Sequence, residues 1–195
     1  AGPTLWLPLG KGAPTSTTIF VGETERGPLE ATKIKSRSDY ERMFGGYFRA
    51  RDVASPPNDP TPLLTAYAID GFYMNGGSTA YVLRAMDGGD DGTPDSASRG
   101  NIVASSPGVW GNSISVAFLK SSGTDAGRFR IVVVYESPQT GERELVETWD
   151  RLTTDHADEN YVVDRLKQSL YIRWDEDAVP AVPTLDQFGD RKSVV

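Results

Sequence analysis

The chain has 195 residues, a formal net charge of −7 and no cysteine. The acidic balance argues against nucleic acid or an anionic membrane surface as the main partner. The lack of cysteine excludes disulfides, thiolate metal sites and thiol nucleophiles. With 38% hydrophobic and 10% aromatic residues, the composition predicts a packed core, as one substantial domain or two small ones. No apolar run approaches the length of a membrane span, and we expect no signal peptide.

The first segment, residues 1–16, predicts an extended arm. It reads AGPTLWLPLGKGAPTS, in which glycines and prolines interrupt any helical or strand period. Four large apolar side chains in it require a surface to cover them. These are Leu5, Trp6, Leu7 and Leu9.

Residues 17–86 predict a small α/β unit that begins with a strand. TTIFVG at 17–22 has the β-branched and aromatic content of a buried strand. After a turn-rich connection, Ser38 with Glu41 three residues later forms a capping-box pattern, which predicts a helix N-terminus. That short helix is expected to end at Gly45 and Gly46.

A second helix is predicted within residues 61–77, with Thr61 as its N-cap and Pro62 in its first turn. A strand at 79–85 follows, so the order is strand, helix, helix, strand, with a connection long enough for a parallel crossover. The helix is expected to stop at Asn75, Gly76 and Gly77. Leu64, Tyr67, Ala68 and Phe72 recur along this segment at helical spacing.

Residues 87–100 have the composition of a linker, and residues 101–174 predict a β-rich domain with one helix. A tail at 175–195 shows little periodicity. The fold class predicted for the whole chain is therefore α+β. The expected strands are 113–119, 129–135, 143–149 and 170–174, with a hairpin between the second and third, and the expected helix covers 155–169.

The sequence offers little catalytic apparatus. His156 is the single histidine, and a serine-hydrolase triad would depend on it without a G-x-S-x-G elbow. DGGDDG at 87–92 lacks the ligand spacing of a calcium loop. A glycosidase pair of carboxylates could be drawn from Asp150, Asp155, Asp158 and Glu159. A hydrolase that uses His156 with nearby carboxylates is one hypothesis.

The stretch SSPGVWGNSIS presents one tryptophan between two turn-forming pairs. Pro107-Gly108 and Gly111-Asn112 bend the backbone on either side of Trp110. Trp110 is then either a buried anchor at the start of the second domain or an exposed aromatic for a ligand.

Four stretches, taken together and in this order, resemble the contractile tail sheath proteins of myophages, tailocins and related injection systems. TTIFVGETERGP through YERMFGG resembles the family's opening, in which F-V-G is followed by T-x-x-G-P and a short helix ending in F-G-G. MNGGSTAYVLRA resembles its N-G-G turn and Y-V-x-R strand. SPGVWGN resembles its S-P-G-x-W-G-N motif, and DRLTTDHADENYVVDRLKQSLYIRW its later helix-to-strand stretch.

The resemblance implies a structural protein that assembles with copies of itself around an inner tube, contacts a baseplate and contracts. It implies the N-terminal portion of such a subunit, located in a virion tail or a related contractile particle, with no catalytic residue, cofactor or metal. Arm residues Leu5, Trp6, Leu7 and Leu9 would add a strand to a neighbouring subunit. Structural roles are implied for Gly22, Gly27, Pro28, Asn75, Gly76, Gly77, Pro107, Gly108, Trp110, Gly111 and Asn112.

A stand-alone β-rich module that binds carbohydrate or protein is the alternative from a different class. In that case exposed tryptophans would form a stacking platform for a sugar. The candidates are Trp110, Trp149 and Trp174.

Overall fold

The computed structural model describes residues 17–47, 62–86, 101–123, 126–137, 140–175 and 177–186. In these ranges the chain is an α+β protein, which confirms the predicted fold class. The predicted arm at 1–16 and the predicted linker at 87–100 lie outside the described residues. None of the described helices is long and apolar enough to cross a membrane.

The first half contains both strands and helices, and strands dominate the second half. The first half contains β1 (Thr17–Gly22), β2 (Thr32–Ile34), α1 (Arg37–Phe44), α2 (Leu64–Met74) and β3 (Thr79–Arg84). The second contains β4 (Ile102–Ala104), a 3₁₀ helix (Val109–Ser113), β5 (Ile114–Lys120), β6 (Phe129–Glu136), β7 (Arg143–Leu152), α3 (Val162–Leu166) and β8 (Ile172–Trp174).

The sheet of the first half has the strand order β1-β3-β2. β1 and β3 are parallel, as the crossover prediction requires. β2 pairs antiparallel with β3 and was not predicted, because three residues are too few to show an alternating pattern. One face of the sheet packs against both helices. The buried residues are Ile34, Ala80 and Val82 from the sheet, Tyr40 and Phe44 from α1, and Ala66 and Ile69 from α2.

The predicted N-cap of α1 is wrong by two residues. The cap is Ser36, whose hydroxyl accepts a hydrogen bond from the Asp39 N–H at 3.0 Å. The Asp39 carboxylate in turn accepts from the Lys35 N–H at 3.0 Å, so aspartate takes the place that the prediction gave to Glu41. Serines at both 36 and 38 make the sequence ambiguous, and the side-chain hydrogen bonds of Asp39 select the first.

The predicted start of α2 is also wrong. Leu63 is the N-cap, and its N–H donates to the Tyr47 carbonyl at 2.7 Å. Leu63 itself is buried, whereas three of the four residues that recur at helical spacing are exposed. Leu64 is 75% exposed and Tyr67 47% exposed, and Ala68 is exposed too, while Phe72 packs against the core. Apolar residues occur all round this helix, so its period alone could not identify the buried side.

Two small sheets form the second half. β5, β6 and β7 make an antiparallel meander that includes the predicted hairpin, and β4, which was not predicted, pairs with β8. Residues 177–186 follow, and Asp186 exchanges hydrogen bonds with the backbone of Phe118 on β5, each at 2.7 Å. The core consists of Ile102, Ala104, Trp110, Ile114, Val116, Phe118, Phe129, Ile131, Val133, Leu152, Val162, Leu166, Ile172 and Trp174.

The predicted helix at 155–169 is largely replaced by turns. Only Val162–Leu166 is helical. Asp155 and Asp158 accept hydrogen bonds from backbone N–H groups two residues ahead, at 3.0 and 2.8 Å. Such side-chain bonds offer the backbone an alternative to the helix, and Arg128 holds Asp158 in place at 2.6 Å.

In the part of the chain that the structure describes, nearly all buried apolar residues fall into two separate clusters, one drawn from residues 34–82 and the other from residues 102–174. The assignment of these halves to two domains joined at 87–100 stays a prediction. What connects the clusters is a set of polar and aromatic side chains.

Candidate functional site at the junction of the two cores

A buried arginine lies between the two cores. The guanidinium carbon of Arg26 lies 4.7 Å from the ring centroid of Tyr171, 5.4 Å from that of Tyr135 and 6.0 Å from that of Trp110. Its Nη2 donates to the Tyr171 hydroxyl at 3.1 Å and to a carbonyl in α1 at 3.3 Å. Cation–π attraction is strongest for such a desolvated cation, so Arg26 connects α1 to three rings of the β-rich half.

The adjacent Glu25 supplies the opposite charge. Its carboxylate accepts hydrogen bonds from the Tyr135 hydroxyl and from the Gly46 N–H, the latter at 2.7 Å, and lies 4.0 Å from Arg26 Nη1. Burial, followed by the negative charge of Glu25, raises the pKa of Tyr135. The phenol therefore stays protonated and remains a donor to the carboxylate.

Arg84, the last residue of β3, closes the junction from the sheet side. It is buried, and it donates to the carbonyls of Gly27 and Glu25 at 3.2 and 3.5 Å. Burial lowers the pKa of Arg84. The end of β3 is thus tied to the same turn that carries Arg26.

Trp110 belongs to the β-rich half and lies in the junction, where its side chain has no exposed surface. Its indole N–H donates to the Ser106 carbonyl at 3.1 Å, and its ring meets the edge of Tyr171 at a centroid distance of 6.3 Å. The Ser106 hydroxyl accepts from the Gly27 N–H at 3.1 Å. The loop before β5 is therefore bonded directly to the turn after β1.

Two glycines allow the turn after β1 and the loop before β5 to pack closely against their neighbours. Gly27 has φ +108°, and a Cβ there would lie 2.7 Å from both the Met43 carbonyl oxygen and the Phe44 ring. Gly108 has φ +128°, and a Cβ there would lie 3.0 Å from the Arg84 guanidinium. Positive φ strains any residue with a side chain, and at both positions the space is already filled.

Gly27→Ala is expected to lower the free energy of unfolding by about 2–4 kcal/mol, because backbone strain adds to a clash with α1. Gly127→Ala is the matched control, since Gly127 also has a positive φ, of +79°, but a Cβ there would have no atom of the described residues within 4 Å. Urea unfolding of both variants measures the difference. Equal losses would show that α1 does not pack closely on Gly27.

The remaining residues with implied structural roles lie at turns and close contacts. Gly22 ends β1 against Thr65 of α2. Pro28, next to Gly27, and Pro107, next to Gly108, are half-buried. Gly111 is buried and Asn112 exposed within the 3₁₀ helix. At the end of α2, the N–H groups of Asn75, Gly76 and Gly77 donate to the carbonyls of Gly71, Tyr73 and Phe72 respectively.

The three tryptophans proposed for a sugar platform, all among the described residues, do not form one. Trp110 has no exposed surface and Trp174 is 5% exposed, so neither ring offers a face for a sugar. Trp149 is half-buried, its indole N–H donates to Glu147 at 2.9 Å, and the Arg165 guanidinium lies 5.7 Å from its ring centroid.

His156 is exposed, and its ring meets the edge of Tyr161 at 5.6 Å. Of the candidate carboxylates, Asp150 accepts hydrogen bonds from the β5–β6 turn, including one of 2.9 Å from the Ser121 hydroxyl. Partial burial acts to raise the pKa of Asp150, but its hydrogen bonds with Ser122, the Arg151 N–H and Ser121 outweigh it and lower the pKa to about 2. Asp155 and Asp158 hold the turns already described. Across the described ranges, no group of three or more histidine, aspartate or glutamate side chains is placed to hold a metal ion.

Sequence reasoning missed the charged and phenolic members of the junction. Glu25 and Arg26 occupy the variable positions of T-x-x-G-P, within a stretch that reads as an exposed turn. Tyr135 is the next-to-last residue of β6 and Tyr171 directly precedes β8. No local sequence pattern marks either tyrosine as part of the junction. An Arg-Gly-Pro turn directly after a strand of apolar residues was the available clue, since a charge in that position needs a partner if the fold buries it.

No protein-family model matches this sequence, and no curated protein matches it. Among solved structures, the fold is similar to the crystal structure of a sheath tail protein from Desulfitobacterium hafniense, with a TM-score of 0.46 and 14% identity. The match covers 90% of this chain and 35% of that chain, so this chain spans about a third of that protein's length.

Proposed function

We propose that the protein is a structural subunit of a contractile tail sheath, or the N-terminal portion of one. In this role it assembles with copies of itself around an inner tube, contacts a baseplate, and contracts to drive the tube through a target envelope. The proposal assigns no catalytic step, cofactor or metal to the chain. It places the chain in a virion tail or a related contractile particle.

One observation supports the proposal most directly. The stretches that resemble the sheath family are far apart in sequence, yet their residues meet in one place. Gly27 of T-x-x-G-P, Arg84 of Y-V-x-R and Trp110 of S-P-G-x-W-G-N contact one another or shared partners, and Arg26, at a variable position of the first motif, lies among them. Tyr171, from the last stretch, completes the set. The resemblance therefore has a common physical basis, which is the closure of this junction.

The composition of the junction suits a subunit that bears load. Its two halves are joined by a buried ion pair, three rings and backbone hydrogen bonds. These contacts are directional, so they resist sliding better than apolar contacts alone. We propose that residues 17–86 and 101–174 are two domains that move as one body when the lattice contracts.

The test is whether the chain assembles. Light scattering and negative-stain electron microscopy over a range of concentrations should show growth into rings or tubes. The arm residues Leu5, Trp6, Leu7 and Leu9 are proposed to contact a neighbouring subunit, so Leu7→Glu is expected to reduce the assembled fraction at least about tenfold, because a charge would then be buried in the contact.

Val179→Glu is the control, since Val179 is apolar and 83% exposed but lies in the tail. Equal loss of assembly in both variants would point to a general effect of added charge. A monomer at every concentration, with or without Leu7→Glu, would contradict self-assembly of this chain.

A further inference from the structure

The exposure of the side chains from 177 to 186 repeats every three residues. One row is exposed and apolar, and consists of Val179, Val182 and Leu185. The next row is half-buried, and consists of Pro180, Pro183 and Asp186. No residue of this segment lies in a helix or a strand. A repeat of about three residues per turn is that of the left-handed polyproline II helix.

Two prolines account for this backbone. The proline ring fixes φ at about −65°, which suits polyproline II, and it keeps the preceding residue out of the α region. Val179 and Val182 directly precede Pro180 and Pro183. The backbone of residues 179–183 is therefore largely restricted before any tertiary contact forms.

Two hydrogen bonds hold the start of this segment on the β4–β8 sheet. The indole N–H of Trp174, the last residue of β8, donates to the Ala178 carbonyl at 3.2 Å. The side-chain amide of Asn101, directly before β4, donates to the Val179 carbonyl at 3.2 Å. The segment is thus fixed where it leaves this sheet, and we call residues 177–186 the strap.

The other end of the strap lies on β5. The Asp186 N–H donates to the Phe118 carbonyl, and the Asp186 carboxylate accepts from the Phe118 N–H, each at 2.7 Å. In a β-ladder a backbone carbonyl would make the second bond, and here a side chain takes its place. Among the described strands β5 is at one end of the order β5-β6-β7. Asp186 therefore occupies the edge of β5 that faces away from β6.

The sequence of β5 gives its edge no protection of its own. It reads ISVAFLK, contains no proline and carries its one charge at the last residue. Native proteins protect such edges with charges, prolines or a covering loop. The strap brings all three to this edge, since it is a loop with two prolines and ends in the Asp186 carboxylate.

We propose that the strap guards the edge of β5, and that its contact with Phe118 prevents a strand of another chain from pairing there. A strand in the same place would cover β5 but present a new edge. The strap does not, because Pro180 and Pro183 lack N–H donors and Asp186 ends the pairing with its side chain. This guard is independent of the proposed function, since only the strap and β5 take part in it.

Hydrogen exchange at the Phe118 amide in the full chain tests the contact. Asp186→Ala removes the acceptor, so exchange should become at least about tenfold faster. Asp186→Asn keeps an acceptor oxygen and should change the rate less than about threefold. Asp177→Ala is the control, since Asp177 is exposed in the same strap. Equal rates in all three variants, or no acceleration in Asp186→Ala, would overturn the contact.

A fluorescent peptide with the sequence of residues 114–120 tests the guard. The triple variant Pro180→Gly, Pro183→Gly, Asp186→Ala releases the strap, so it should bind this peptide at least about tenfold more tightly than the unaltered chain, because the edge of β5 then accepts a strand. Fluorescence anisotropy measures the affinity. Circular dichroism checks the fold, and Asp186→Ala alone is titrated if the triple variant does not fold.

The control peptide carries Val116→Pro and Ala117→Pro, which remove one N–H donor from each of its two edges. It should not bind either chain. Equal affinity of the peptide of residues 114–120 for the released and unaltered chains would overturn the guard. Equal affinity of both peptides for the released chain would do the same, because binding would then not depend on strand pairing.

Discussion

Replacing Arg26 with alanine is expected to lower the free energy of unfolding by about 3–5 kcal/mol, because it removes one partner of a buried ion pair. The variant leaves the Glu25 carboxylate buried beside Tyr135 without its cation, and it leaves a space among the rings of Tyr135, Tyr171 and Trp110. Urea unfolding followed by tryptophan fluorescence measures the loss, and Trp110 reports directly on the site.

The matched control is Arg143→Ala. Arg143 pairs with Glu136 at 2.5 Å, but the two side chains are 50% and 41% exposed, and solvent-exposed pairs contribute at most about 1 kcal/mol. Arg26→Lys adds a second comparison, since lysine keeps the charge but not the flat guanidinium that lies against three rings. If Arg26→Ala cost no more than Arg143→Ala, Arg26 would not be buried between the two halves.

The sequence predicts the regular elements best where a pattern is long and its faces differ. The six residues of β1 and the eight of β6 are read from β-branched runs, and the parallel pairing of β1 with β3 follows from the length of the crossover. Failures have local causes. Ser36 and Ser38 compete as N-caps, the faces of α2 are both apolar, and the turns near Asp155 and Asp158 depend on side-chain hydrogen bonds that compete with a helix.

The junction could be predicted only in part, because its members lie far apart in the chain. Gly27 and Trp110 were recognisable from turn chemistry and from the resemblance. Arg26 and Tyr171 are 145 residues apart, and no local period brings them together. A charged residue in a glycine–proline turn resembles an exposed residue until the fold buries it, so tertiary contacts alone identify its role.

Replacing Trp110 with alanine is expected to lower the free energy of unfolding by about 3–5 kcal/mol, the usual cost of truncating a fully buried large aromatic side chain. Trp110→Phe is expected to cost about 1–3 kcal/mol, because the Ser106 carbonyl loses the indole N–H and is left without that donor. Trp149→Ala, at a half-buried site, is expected to cost less than Trp110→Ala. Calorimetric or urea unfolding of the three variants measures these losses in the free energy of unfolding and ranks them.

The decisive comparison for Trp110 is with Arg26, since the guanidinium lies 6.0 Å from the tryptophan ring. If the two side chains stabilise one junction, the double variant Arg26→Ala, Trp110→Ala should lose less than the sum of the single variants, by about 0.5–3 kcal/mol, as found for residues in contact. Strict additivity would mean that Trp110 anchors only the β-rich core and that the two halves are held together elsewhere. A coupling within that range would instead identify the ring–guanidinium contact as part of what makes residues 17–86 and 101–174 respond as one body.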